Sequence, residues 1–432
     1  MNGNSLVWTG SMNPYELVVR DWTPTQKHSL NISGGTDRVA YYLSLGYHTE
    51  DGMYKIGKDE YNRYNVATRV NAKVTNWFNV EARVNYNRNT YDEPYVPSYK
   101  GSIWSVLKQD ADKNVNMPIK TLASDESGEQ WTDNYLAWLD YGNRTVTKNW
   151  TTVLSVSPEF IVIPNTLKLK ADLSYRPEGR NLRRVDPEHY YITYTWTPVS
   201  EQQEYKENRG RLENSTTDNY QINVYADFNK TFKEKHTISG VLGYNQEYQE
   251  YDYTALNLRQ LFSPNILNPN ATEDPTLNTG ETSSYEYAGR AMFGRINYNF
   301  AGKYMLEVNG RYDGSSRFTK DKRFFFFPSF SAGWRISEEN FMNFSENWLS
   351  NLKLRFSWGK LGSQPSKRYP YQAVMSSGKA NYWMGGNWNN TVFAPSLVSP
   401  ALTWEKAATT NFGIDAGFLN NRLNASLDIY ER

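Results

Sequence analysis

Histidine, acid and thiol chemistry is the first thing to look for in this chain. His28, His48, His189 and His236 fall on separate segments, with no HxxE or HxH spacing to hold a metal or pair a base. Cysteine is absent, which removes disulfides, zinc thiolates and thiol nucleophiles. Asp110, Asp112, Asn114 and Asn116 have the spacing of the first half of a calcium loop. Val115 replaces the glycine of its sharp turn, and Thr121 stands where a bidentate glutamate would close the shell, so the stretch reads as a polar loop. No glycine-rich phosphate loop and no nucleophile or acid/base set can be assembled. The reading is of a protein that is not an enzyme and uses no cofactor or metal.

Binding chemistry is better represented. The stretch NYWMGGNWNN, residues 381–390, sets Tyr382, Trp383 and Trp388 among glycines and asparagines. Trp104, Trp131, Trp138 and Trp196 lie in other long irregular stretches. Aromatic planes stack on sugar rings and amides satisfy hydroxyls, so these are candidate substrate contacts; equally, large loops pack on one another through such residues. A second set is polar and alternates with apolar residues. It includes Glu81, Arg83, Asn85, Asp172, Asn223, Asp227, Arg295, Asn297, Glu307, Arg311 and Asp415.

The elements that carry this second set are strands. Around Ala301-Gly302-Lys303, Met292, Gly294, Ile296, Tyr298 and Phe300 share one face with Tyr304, Leu306 and Val308 across the turn. Phe293, Arg295, Asn297 and Asn299 share the other with Glu307, Asn309 and Arg311. A period of two over this length specifies a β-hairpin. The same alternation recurs from Lys27 to Tyr430 and gives about fourteen strands. Short connections fall near Thr36, Asn76, Asn165, Glu234, Gly302 and Asn420, with a longer one over 339–350. They alternate with long ones near 50–60, 90–144, 177–214, 252–282, 314–322 and 362–401. All short turns therefore share one end of the sheet, as in an outer-membrane barrel with periplasmic turns and external loops. Aromatics gather beside the short turns (Trp77, Phe78, Phe160, Phe232, Phe300, Tyr304, Phe341, Phe344, Trp348, Phe418), as an interfacial girdle would. Within the loops, Ser102–Lys113 has helical spacing and Tyr190–Trp196 reads as a strand or hairpin.

Composition agrees. The 47 Lys+Arg nearly balance 46 Asp+Glu, giving a net charge of +1, so nothing favours nucleic acid. The mean hydropathy of −0.74 does not exclude a membrane, because barrel strands alternate. No apolar run is long enough for a helical span, and MNGNSLVWTG has no leader character. Aromatics reach 15%, with 33 Tyr and 14 Trp, which suits an interface.

Four stretches carry a resemblance. QKHSLNISGGTDRVAYYLSLGY from Gln26, RYDGSSRF with FPSFSAGWRISEENFM over 311–342, LKLRFSWGKLGSQ from Leu352, and LTWEKAATTNFGIDAGFLNNRLNASLDIYER from Leu402 resemble the SusC/RagA-type TonB-dependent outer-membrane receptors of Bacteroidetes. The resemblance implies an all-β, antiparallel transmembrane barrel of twenty-two strands filled by an N-terminal plug. About fourteen strands are expected here and no plug, so residues 1–432 read as the C-terminal part of the barrel domain, with 1–26 as a lead-in. It further implies active import of oligosaccharides or peptides and a SusD-like lipoprotein at the external face. TonB with ExbB and ExbD would supply energy through the missing plug. Glu81, Arg83, Arg295, Asn297 and Arg311 would then line the lumen, and the opposite face would meet outer-membrane lipid. Two edge strands left unpaired in lipid would keep the stretch from persisting alone. The alternative is a secreted β-rich, lectin-like glycan-binding protein without transport function; the lack of a fixed repeat period weighs against it.

Overall fold

The computed structural model describes residues 14–95, 120–122, 129–131, 139, 142–191, 202–205, 207–345, 347–365, 367–384, 386–399 and 401–432. After a five-residue helix, Pro14–Val18, these residues form twenty strands. They are β1 (Thr25–Gly35), β2 (Val39–Asp51), β3 (Glu60–Lys73), β4 (Phe78–Pro94), β5 (Lys120–Leu122), β6 (Glu129–Trp131), β7 (Arg144–Ile163) and β8 (Leu167–Asp186). Then come β9 (His189–Tyr191), β10 (Gln202–Tyr205), β11 (Arg209–Phe232), β12 (His236–Leu258), β13 (Thr279–Phe300) and β14 (Tyr304–Ser315). The last are β15 (Phe324–Arg335), β16 (Leu349–Ser363), β17 (Ser376–Met384), β18 (Asn387–Phe393), β19 (Glu405–Phe418) and β20 (Leu423–Glu431).

Fourteen of them make one antiparallel sheet in which each strand pairs with its predecessor and successor. The other six form three two-stranded hairpins in the long connections: β5–β6, β9–β10 and β17–β18. Within the sheet β1 pairs only with β2 and β20 only with β19, so the sheet is open at both edges among the described residues.

The alternation translates into two chemically distinct faces. Ile296 pairs with Val308, and Val308 with Phe330; one residue away, Arg295 pairs with Asn309 and Asn309 with Ser329. Ile296 and Leu306 are 62% and 49% exposed and do not pack into a closed core. The same outward face carries Leu30, Leu45, Val70, Val84, Leu154, Leu173, Val224, Leu242, Met292, Phe330, Ile414 and Leu427, all exposed and spread over the width of the sheet. An apolar band that no protein covers needs hydrocarbon, not water, as its neighbour. Packing between side chains is concentrated elsewhere, at the long-loop end, where Phe318, Phe327 and Trp404 form a buried cluster.

The short turns lie together, and their girdle is a chain of ring contacts. Phe78 stacks on Phe160 at 4.8 Å and Trp77 on Phe160 at 6.1 Å. His236 meets Phe300 at 4.8 Å, Phe300 meets Tyr304 at 6.1 Å and Tyr304 meets Trp334 at 6.4 Å. Trp348 stacks on Phe418 at 6.2 Å.

At the long-loop end the ladders run further than alternation indicates. β8 continues to Asp186, β11 starts at Arg209, and β12 and β13 reach Leu258 and Thr279. The long connections expected over 177–214 and 252–282 therefore shorten to 187–208 and 259–278. The 24 residues of β11 are more than twice what a strand needs to cross a membrane. The upper half faces lipid on neither side, so it keeps its backbone pairing but loses the apolar alternation that marks a strand in sequence. Tyr190–Trp196 begins as β9, with residues 192–196 outside the described part, and the candidate helix and calcium-like loop over 102–121 fall outside it except for Lys120 and Thr121.

Candidate functional site

The inward face is built in horizontal rows by the register. One row runs Val241, Arg295, Asn309, Ser329, Gly359, Thr409; the next runs Ser239, Asn297, Glu307, Ser331, Ser357, Asn411. This assigns a role to every second residue of FPSFSAGW. Phe326, Pro328, Phe330, Ala332 and Trp334 share the apolar face, while Ser329, Ser331 and Gly333 floor the inner wall with little bulk.

Above this floor is an open recess of about 850 Å³, lined by Phe293, Arg295, Glu307, Asn309, Arg311, Asp313, Phe327 and Leu361 among others. Asn309 Nδ2 donates to Glu307 Oε1 at 2.8 Å, and Arg311 Nε to Asp313 Oδ1 at 2.7 Å. The Arg311 guanidinium also lies 5.9 Å from the centre of the Phe293 ring. Arg295 is exposed in the recess without an ion-pair partner among the described residues. Asn297 belongs to the neighbouring hollow with Glu307, Lys353 and Arg355, where its Nδ2 donates to Ser239 Oγ at 3.4 Å.

Of the expected lumen residues, Arg295 and Arg311 thus share one recess, and Asn297 lines the hollow beside it. Glu81 and Arg83 are not with them. They form an ion pair on β4 and line a separate recess of about 490 Å³ with Glu159, Lys170, Asp172 and Tyr225. There Lys170 reaches Asp227 at 3.1 Å and Glu159 at 3.5 Å, so most charge is neutralised within the wall.

Sequence reasoning names Asp415 but misses its partner Arg355, and it misses a second group altogether. Arg355 Nε and Nη2 grip Asp415 at 2.7 and 2.9 Å, and Nη2 also reaches Asp428 at 3.2 Å, tying β16, β19 and β20 together. The parity of LKLRFSW gave the only signal. The other group sits beyond the membrane-crossing residues. Asp186 accepts from Asn143 Nδ2 at 3.3 Å, and burial pushes its carboxyl up to about 6, against the pull of Arg184. Burial likewise raises Asp59 and Glu93, and Asp59 adds to the rise of Glu93. Nearby, Arg144 forms a bidentate pair with Asp92. No group of His, Asp and Glu able to hold a metal occurs among the described residues.

The aromatic rim is only partly in view. Tyr382 and Trp388 are exposed on the β17–β18 hairpin, where Trp383 pairs in register with Trp388. Trp131 lies on β6 opposite Lys120. Trp104, Trp138 and Trp196 lie outside the described residues.

Comparison with known proteins bears on this two-faced sheet directly. Residues 108–432 match the family model for the TonB dependent receptor-like β-barrel. TonB-dependent receptor P39 of Formosa agariphila is 34% identical over 222 residues, 51% of this chain and 21% of that protein. TonB-dependent receptor SusC of Bacteroides thetaiotaomicron is 26% identical across 94% of this chain, covering 40% of that receptor. Each relative is thus much longer than the part matched. A solved structure of the RagAB peptide importer superposes with a TM-score of 0.78 at 21% identity, covering 99% of this chain and 45% of that one, and so shares its fold. With the family model spanning most of its length, and its apolar band and girdle in the places such a barrel needs them, this chain belongs to the TonB-dependent receptor-like β-barrel family of the bacterial outer membrane.

Proposed function

We propose that this stretch is wall and external rim of an active importer of oligosaccharides or peptides. The observation that carries the reading is the pairing of an uncovered apolar outer face with an inner face of amides, serines and mostly self-neutralised charge. Such an inner wall presents hydrogen-bonding groups to a polar solute without a fixed charge strong enough to trap it. Arg295 and Arg311 in the recess, and Asn297 in the hollow beside it, contact what passes along the wall. Tyr382, Trp383 and Trp388 meet it at the rim, with Trp104, Trp131, Trp138 and Trp196 as further contacts. Energy arrives from TonB, ExbB and ExbD through a plug that lies in another part of the receptor. A SusD-like lipoprotein closes the external mouth. The named relatives support the energy source and the import of peptides, since SusC is called a TonB-dependent receptor and RagAB a peptide importer.

The test is uptake by cells of the source bacterium that carry or lack the receptor gene, using labelled oligosaccharides and labelled peptides in parallel. Loss of uptake of one class, and its abolition by a protonophore, is the expected result. Unchanged uptake of both classes would refute the reading.

A further inference from the structure

The segment RYDGSSRF, Arg311–Phe318, is the most conspicuous motif left without a chemical role. Its side chains reach across the long-loop end and hold both roots of the connection 364–404. At the first root, Ser315 Oγ donates to Gln364 Oε1 at 2.7 Å, and Arg317 Nη1 donates to the Pro365 carbonyl at 2.9 Å. The Arg317 guanidinium also sits 5.0 Å from the Tyr287 ring centre, and Gln364 Nε2 donates to the Tyr287 hydroxyl at 3.3 Å. Three residues further on, the Arg368 guanidinium sits over Tyr285, 3.2 Å from the ring centre, and the Tyr369 hydroxyl donates to the Glu286 carbonyl. At the second root, Phe318 is fully buried against Trp404 at 5.0 Å, Phe327 packs on the same indole at 5.4 Å, and Trp404 Nε1 donates to the Arg323 carbonyl at 3.0 Å.

The motif itself is braced for this. Ser316 exchanges two hydrogen bonds with Ala288 of β13: its amide donates to the Ala288 carbonyl at 2.9 Å, and its Oγ accepts from the Ala288 amide at 3.1 Å. A Cβ at Gly314 would lie 2.2 Å from the Phe324 ring, so only glycine lets that ring close over the segment.

We infer that Ser315, Arg317 and Phe318 form a latch that pins the 364–404 arm to the wall at both ends. The β17–β18 hairpin, with Tyr382 and Trp388, is then held at a fixed height over the mouth and moves with the wall rather than as a hinged gate. These are positioning residues, acting through the arm. Only the use of the arm as a rim rests on the importer reading; the latch is tested without transport.

The experiment is backbone hydrogen exchange on the full-length receptor in its membrane, comparing wild type with Arg317→Ala and Phe318→Ala. Exchange should rise about tenfold or more at residues 367–372 in the first variant and at 402–406 in the second. The amides of β13 and β14 nearer the short turn should be unchanged, and Phe318→Leu should restore most of the protection at 402–406. Trypsin should cut after Arg368 in Arg317→Ala but spare that bond in wild type. Unchanged exchange in the arm of both variants, or an equal rise throughout β13 and β14, would overturn the latch. If Phe318→Ala does not reach the membrane, Trp404→Phe, which removes the indole donor to the Arg323 carbonyl, decides the second root: faster exchange confined to 402–406 supports the latch, and no change there refutes it.

Discussion

Val308→Arg, compared with Asn309→Arg, isolates the assignment of the two faces. Val308 is 58% exposed on the outer face and pairs with Ile296 and Phe330. It stands four residues along β14 from Tyr304, whose ring belongs to the girdle. At about 3.4 Å per residue and a strand tilt of about 40°, that is about 10 Å above the girdle. In an apolar band about 25 Å tall, Val308 is then close to the midplane, where an arginine costs about 2–4 kcal/mol. The folded-to-unfolded ratio should fall roughly 30- to 900-fold. Asn309, its neighbour, points into the recess beside Glu307, so Asn309→Arg should stay within about 0.5 kcal/mol of wild type. Denaturant unfolding of the full-length receptor in lipid bilayers measures both. Equal costs for the two variants, or a Val308→Arg cost under about 0.5 kcal/mol, would mean that the outer face does not meet hydrocarbon.

Further outcomes follow from particular contacts. Ala301 adopts φ 50° in the β13–β14 turn, a region costing an L-residue about 1–2 kcal/mol, so Ala301→Gly should stabilise the receptor by about 0.5 kcal/mol after glycine's own entropy is counted. Arg355→Ala should destabilise by about 1–2 kcal/mol in the same unfolding assay, because Asp415 and Asp428 are left facing each other, and a further Asp415→Asn should recover part of the loss. Asp186 has a folded carboxyl pKa of about 6 against an ordinary 3.8, so the folded state holds its proton more tightly. Its penalty is complete above pH 6 and lifts as pH falls towards 3.8. Stability of the external end should therefore rise by about 1–3 kcal/mol more over that window in wild type than in Asp186→Asn, where only the raised carboxyls of Asp59 and Glu93 still contribute, read by hydrogen exchange corrected for intrinsic rate.

Legibility of the chain follows its surroundings. Where one strand face meets lipid and the other the lumen, each residue's environment alternates, and so does the sequence. That is why the faces of β13 and β14 could be read from Met292 to Arg311, and why Asn165, Glu234 and Asn420, all at positive φ, stood out in the turns. Beyond the membrane the same ladders face water or loop on both sides. Nothing then forces alternation, and the upper parts of β8 and β11 looked irregular.

The site was less legible for a related reason. A side chain's inward direction is local and survives in the sequence, but its partners are not. Arg355 meets Asp415 only because β16 pairs with β19 across a connection of 41 residues, and that connection must be held before the pair means anything. The motif that holds it, DGSSRF, has no alternation to interpret and assembles no catalytic set. Its glycine answers to Phe324, its phenylalanine to Trp404 and its arginine to a carbonyl 48 positions away. Sequence could mark the segment as unusual; only the fold supplies the residues it is shaped against.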